Sequence, residues 1–406
     1  MDIKKQLFPN LASVSGVLLA TIEAGIRYAH RKDLVLIALP AQAHIAAVFT
    51  QNVFCAAPVQ VARQHLQQRQ PHYLMINTGN ANAGTGKSGL AAALQTCDSL
   101  AQQTQCIREQ ILPFSTGVIG EALPVEPIIQ AIPKALTQLT ESGWADAARG
   151  IMTTDTQPKG YSYQWEYAGR TITLTGIAKG AGMIKPNMAT MLSFVATDLA
   201  IESTLLNTLL VDAVRQSFNC ISIDGDTSTN DACVLIAAGT VDLPELKNMA
   251  DPLTQSFKGV LNQLMLDLAH AIVRDGEGAS KFIEIQVMEG SDEVTCGIVA
   301  ETIAHSPLVK TALYASDPNW GRILAAVGRA PVSNLMLEGI SLWIGEYLIL
   351  ERGEPAPHYQ ESQVAAYMKN TDIVIRVALG QGQAMAKRWT CDFSEDSVRI
   401  NADYRS

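Results

Sequence analysis

The chain has 406 residues, 48% of them hydrophobic and 17% charged, with a net charge of −9. That length suits two or three domains and that apolar fraction a large core, which excludes a disordered chain. The acidic balance offers no basic patch for nucleic acid or an anionic membrane.

At the N-terminus Lys4 and Lys5 precede an apolar stretch that Pro9, Asn10, Ser13 and Ser15 interrupt, a pattern unlike a signal peptide. Leu34–Leu39, Ile45–Thr50 and Tyr73–Asn77 read as short buried strands, and Gly89–Gln105 and Glu126–Leu139 as helices. Tyr161, Tyr163, Trp165 and Tyr167 alternate with polar residues, and Ile172 and Leu174 alternate after Ala168-Gly169. That spacing predicts a hairpin with one aromatic face. Met191–Ala196 reads as a buried strand, and Ser203–Phe218 and Asp251–Arg274 as long amphipathic helices. From about Phe282 the pattern changes to strands with wider loops: Ile283–Val287, Ser341–Leu350, Asp372–Leu379 and Met385–Phe393, with one helix at Gln360–Lys369. A boundary near 280 follows, dividing a main region, 1–280, from a smaller C-terminal domain, 281–406. The class is mixed α/β with layered sheets and helices.

No apolar run reaches the roughly 20 residues of a membrane span. The seven cysteines are odd in number and widely spread, with no Cys-x-x-Cys, which predicts free thiols in a reducing cytoplasm. The seven histidines lack metal-ligand spacing, so no metal is expected.

Three motifs invite a ligand. Ala81-Asn-Ala-Gly-Thr-Gly-Lys-Ser88 fits a relaxed phosphate loop, in which Gly86, Lys87 and Ser88 would hold a nucleotide. Its first position is Ala81 where the full motif has Gly, and a Gly/Asn-rich turn lining a pocket is the better reading. Asp224-Gly-Asp-Thr-Ser-Thr-Asn-Asp231 resembles a calcium loop, but its sixth and twelfth positions are Thr229 and Leu235 where Gly and Glu are needed. The third is Lys179-Gly-Ala-Gly-Met-Ile-Lys-Pro-Asn-Met-Ala-Thr-Met-Leu192. Two glycines make a tight turn, Pro186 stiffens the chain and pushes Lys185 to an extended state, and Thr190 opens a strand. The Thr190 hydroxyl could attack the preceding carbonyl and cut the chain. The freed α-amine, with a pKa of about 8, would suit the role of base for its own hydroxyl. An ordinary threonine opening a strand is the commoner meaning of such spacing.

These segments, taken with Asn77–Gly84, Ser115-Thr-Gly-Val118, Met152-Thr-Thr-Asp-Thr156, Arg274-Asp-Gly-Glu-Gly-Ala279, Ala315-Ser-Asp-Pro-Asn-Trp-Gly-Arg322 and Asn401-Ala-Asp-Tyr-Arg-Ser406, run the length of the chain in order. Together they resemble the glutamate N-acetyltransferase/ornithine acetyltransferase family of arginine biosynthesis. The resemblance implies a layered α/β sandwich of the self-cleaving ornithine acetyltransferase type. It implies cleavage between Ala189 and Thr190, with the freed Thr190 as the acetyl-carrying nucleophile. It places the oxyanion hole at Thr116 and Gly117. Substrate would be bound by Thr153 (Thr154 and Thr156 being adjacent candidates), Lys179, Thr190, Glu277, Asn401 and Ser406. The terminal position is often Thr in the family, and the Ser here supplies the same hydroxyl. The implied substrates are N2-acetylornithine and glutamate, with no cofactor; acetyl-CoA is a co-substrate in some members and not in others. The α and β fragments of one precursor would associate as α2β2. Two rival functions share parts of these motifs: a phosphate-loop nucleotide-binding protein, and a self-cleaving aminopeptidase or amidase of related fold that passes the acyl group to water.

Overall fold

The structure, a computed structural model, describes residues 3–185 and 191–403. The chain divides into two compact units: residues 1–180, 185–219 and 226–272 form the first, and residues 181–184, 220–225 and 273–406 the second.

In the first unit six strands form one sheet, in the spatial order Ile3–Leu7, Lys159–Tyr167, Arg170–Lys179, Leu192–Thr197, Ala232–Ala237, His44–Phe49. Four more, Leu18–Ile22, Leu34–Ala38, Tyr73–Asn80 and Ile111–Val118, form a second sheet. Alternation of side chains along a strand decides which layers touch. Val35, Ile37, Leu74, Ile76, Leu112 and Phe114 share one core with Ile177, Leu192, Phe194, Val234 and Ile236, so the two sheets pack face to face. Phe114 meets Phe194 edge-on, their ring centroids 5.2 Å apart, a geometry that adds about 0.5–1.5 kcal/mol beyond burial. The other face of the four-stranded sheet, with Leu34, Leu36, Met75 and Ile111, packs on Ala93, Cys97 and Leu100 of the Gly86–Thr104 helix and on Ile128 and Ile132 of the Val125–Thr137 helix. On the six-stranded sheet Gly176 lies under Leu264 and Leu268 of the Pro252–Arg274 helix; a Cβ there would come within 2.8 Å of Leu264. The unit is thus a helix–sheet–sheet–helix sandwich, the layered α/β class the sequence predicts.

The expected hairpin forms with strands Lys159–Tyr167 and Arg170–Lys179, and its turn residues Ala168 and Gly169 both take positive φ, 50° and 74°, as a tight hairpin demands. The strand Ile111–Val118 was hidden in the sequence by Pro113. Proline lacks the ladder N–H, and here it sits on an edge strand, where that loss is tolerated.

The second unit carries a seven-stranded mixed sheet. Its inner face, with Ile283, Ile285, Val287, Leu342, Ile375 and Val377, packs on three helices, Glu293–Ala304, Pro307–Tyr314 and Trp320–Gly328. These helices correct the expectation of wide loops between strands. Ser341–Leu350, expected as one strand, is a hairpin of Ser341–Ile344 and Tyr347–Glu351, because Gly345 at φ 59° turns the chain. None of the seven cysteines forms a disulfide with another. Among the described residues no helix is long and apolar enough to cross a membrane, and no cluster of His, Cys, Asp and Glu has the geometry to hold a metal.

Candidate active site

The site grows from strand ends. Lys179 pairs with Leu192, and Leu192 with Ala232, so three strands of the six-stranded sheet end in one row. The Met191 carbonyl accepts from the Ala232 N–H at 3.0 Å. Across the sandwich, Tyr73–Asn80 and Ile111–Val118 run parallel and pair Thr78 with Thr116 and Gly79 with Gly117. Gly117 has φ 137°, and a Cβ on it would lie 2.3 Å from the Gly79 carbonyl carbon. Only glycine fits that backbone and that space.

Lys179 Nζ donates to Thr116 Oγ1 at 3.1 Å, with both residues buried. A hydroxyl that accepts from an ammonium keeps its own proton to give onward. Two expected site residues from different sheets therefore meet, and the contact puts a positive charge behind a hydroxyl donor.

Asp155 braces this contact from the hairpin side. Its Oδ1 accepts from Lys159 Nζ at 2.6 Å and from the Gly180 N–H at 2.7 Å, and its Oδ2 from the Thr153 N–H at 3.0 Å. Burial alone would raise its pKa, but the charges of Lys159 and Lys179 and the hydrogen bonds outweigh it and hold the carboxyl down to about 2. One carboxylate thus ties the Thr153 segment to the turn after Lys179. Thr153 is half-buried, and its carbonyl also accepts from Arg31 at 3.4 Å. Thr154 is half-buried and Thr156 exposed.

At the start of the Ala232–Ala237 strand, Asn230 is buried and its Nδ2 donates to the carbonyls of Ala81 and Ser115, at 2.6 and 2.9 Å. Beside it Asp231 is buried; desolvation drives its pKa well above the usual carboxylate range, against hydrogen bonds from Ser228 and the charge of Lys179.

The second unit joins two other expected residues. Glu277 is buried, and its Oε2 accepts from Asn401 Nδ2 at 2.9 Å. Gly182 leaves room for that carboxylate, since a Cβ there would fall 2.6 Å from it. The Glu277 N–H donates to the Ala181 carbonyl at 2.9 Å, and Asp224 accepts from the Met183 and Ile184 N–H groups at 2.5 and 2.9 Å. Ala189, Thr190 and Ser406, the expected cleavage point, nucleophile and terminal hydroxyl, lie outside the described residues.

The phosphate-loop segment turns its donors inward. The Asn82 N–H goes to Asn80 Oδ1 at 2.8 Å and the Gly89 N–H to the Thr85 carbonyl at 3.3 Å, while Lys87 is exposed. Asn80 Nδ2 donates to the Ala122 carbonyl at 3.0 Å, and Asn82 Nδ2 to the Gly89 carbonyl at 2.9 Å. The asparagines build a rigid loop, not a phosphate cradle.

Sequence reasoning named neither Asp155, Lys159, Asn230 nor Arg31 as functional. A charged or amide side chain placed beside an apolar strand run was the available signal, because such a residue, once buried, must find partners.

The ArgJ family model matches residues 18–406. The chain is 52% identical over 396 residues to an arginine biosynthesis bifunctional protein ArgJ from Methylococcus capsulatus, covering 98% of this chain and 97% of that one. It is 51% identical to the protein of the same name from Pseudomonas fluorescens, with 98% of each covered. A crystal structure of ArgJ from Bacillus halodurans is 38% identical, covering 50% of this chain and 95% of the solved one, with a TM-score of 0.48. The chain belongs to the ArgJ family. It is an acetyltransferase of arginine biosynthesis, and neither the nucleotide-binding nor the hydrolase alternative is supported.

Proposed function

We propose that the enzyme moves acetyl from N2-acetylornithine to glutamate by way of an ester on Thr190, after cutting itself between Ala189 and Thr190. The observation that carries this reading is the buried Lys179–Thr116 contact at the end of the strand pair Lys179–Leu192, two residues along the chain from Thr190.

In the first half-reaction the Thr190 amine takes the proton from its own hydroxyl as the oxygen attacks the acetyl carbonyl. The oxyanion gathers hydrogen bonds from the Thr116 hydroxyl and the Gly117 N–H, and Lys179 behind Thr116 strengthens the first of these. Collapse breaks the carbon–nitrogen bond, and the Thr190 ammonium gives its proton to the departing ornithine amine. Glutamate then attacks the ester with its amine, and Thr190 regains its hydroxyl proton as N-acetylglutamate leaves. A histidine is not required, because the α-amine serves as the base. Thr153 and Lys179 contribute to holding the substrate, Lys179 through its charge toward a carboxylate. Glu277, oriented by Asn401, is suited to an ammonium, and Ser406 adds a hydroxyl. The cut fragments associate as α2β2.

Purified enzyme assayed with acetylornithine plus glutamate, beside acetyl-CoA plus glutamate, tests the reading. Acetylglutamate in the first mixture is expected. Its formation only in the second would replace acetylornithine by acetyl-CoA as the donor. N-terminal sequencing should find a chain beginning Thr-Met-Leu-Ser.

A further inference from the structure

We propose, on the basis of the acyl-transfer reading above, that Asn230 is a positioning residue of the reaction. It holds the peptide carrying the Thr116–Gly117 oxyanion hole at a fixed place relative to the strand that follows Thr190.

The geometry is a three-way clamp. Asn230 stands two residues before Ala232, which pairs with Leu192. Its side chain is buried, and both of its carbonyl contacts run to the opposite sheet and its loop. One goes to Ser115, the residue before Thr116, and the other to Ala81. Its Oδ1 accepts from the Thr229 hydroxyl at 2.6 Å. This fixes which end of the amide is which, since two carbonyls require the NH2 group.

Pinning the Ser115 carbonyl fixes more than one atom. The peptide is planar, so the Thr116 nitrogen and Cα are set by the same plane. The Ser115 hydroxyl is held in turn at Asn77 Oδ1, at 2.5 Å, and Asn77 Nδ2 donates to the Asn80 carbonyl at 2.9 Å. The second contact, to Ala81, fixes the loop against which Gly117 packs. Gly79 and Asn80 are the atoms a Gly117 Cβ would strike, and the Ala81 N–H returns to the Val118 carbonyl at 2.9 Å. Asn230 therefore grips both sides of the hole from the sheet that contains Leu192–Thr197. It touches no reacting atom; it acts through Ser115 and Ala81.

The test is a double-mutant cycle on processed enzyme with Asn230→Ala, Thr116→Ala and the pair. Asn230→Ala should lower kcat by about 10²-fold, the loss a misplacement of about 1 Å brings, with KM for acetylornithine nearly unchanged. In the Thr116→Ala background the same change should cost far less, because the donor it positions is already gone. Equal fractional losses in both backgrounds, or a raised KM at full kcat, would overturn the assignment. Should Asn230→Ala fail to fold, Asn230→Asp keeps the size and the Thr229 contact but turns an acceptor toward the two carbonyls. It must then show the same non-additivity, and additive behaviour in it likewise defeats the proposal. Wild-type enzyme that never carries acetyl on the Thr190 fragment would instead defeat the acyl-transfer reading, independently of the cycle.

Discussion

Asp155 and Asp231 belong to the same unit, both are buried, and both feel the charge of Lys179, yet burial wins at one and loses at the other. Asp155 has an ammonium in direct contact and two backbone N–H donors. Asp231 has Ser228 and a more distant positive charge, and its Oδ2 has no hydrogen-bond partner among the described residues. A carboxylate stays charged inside a protein when paired and hydrogen-bonded, and otherwise keeps its proton. One end of the sheet therefore holds a fixed negative charge beside the Thr153 and Gly180 backbone, and a second carboxyl that resists ionisation.

The sharpest way to break this contrast is Asp155→Asn. It removes the carboxylate charge in contact with Lys159, whose side chain is 2% exposed, and should destabilise the enzyme by about 3–5 kcal/mol, as losing one member of a buried pair does. Urea denaturation measures it; an unchanged midpoint would mean that the pair carries no stability. In the wild type the Asp155 contribution has a fixed sign. Its folded pKa of about 2 lies below the ordinary 3.8, so the stabilisation is present above that ordinary value and is lost as pH falls through the folded one. The acid limb of the stability curve should therefore flatten in Asp155→Asn.

Next in size is Thr116→Ala, expected to lower kcat by about 10²–10³-fold with KM little changed. A large rise in KM at unchanged kcat would make Thr116 a ground-state binding residue. Its cleavage state must be read first, because processing can share the same donors. The smallest effect belongs to Asp231→Asn, about 1 kcal/mol or less at neutral pH. Its wild-type pKa is raised, so the stability tied to the protonated carboxyl is complete below the unfolded value and is lost as pH rises through the folded one. Thermal melts should show the variant gaining on the wild type as pH increases; a variant that falls behind would mean that Asp231 is ionised and paired.

The sequence showed the scaffold of this site better than its interior. Alternation exposed the Lys159–Lys179 hairpin, because a period of two survives in the letters, and largely apolar runs exposed Leu34–Ala38 and Leu192–Thr197. The helix Glu293–Ala304 did not show: Cys296, Val299, Ala300, Thr302 and Ile303 are buried around most of its circumference, leaving no polar stripe to give a 3.6-residue period. Thr116, Gly117 and Lys179 were legible through family motifs, and the structure brings them together in one unit. Asp155 and Asn230 sat inside motifs already quoted, but their roles depend on partners far along the chain, such as Ser115 for Asn230. No local pattern encodes such a pairing.

The most direct test of the central claim, that Thr190 carries the acetyl group, is intact-mass spectrometry of processed enzyme given acetylornithine without glutamate. The account predicts one added acetyl on the fragment beginning at Thr190, discharged when glutamate is supplied, and none in Thr190→Ala, which should remain a single inactive chain. Acetyl on any other residue, or full turnover by Thr190→Ala, would contradict it.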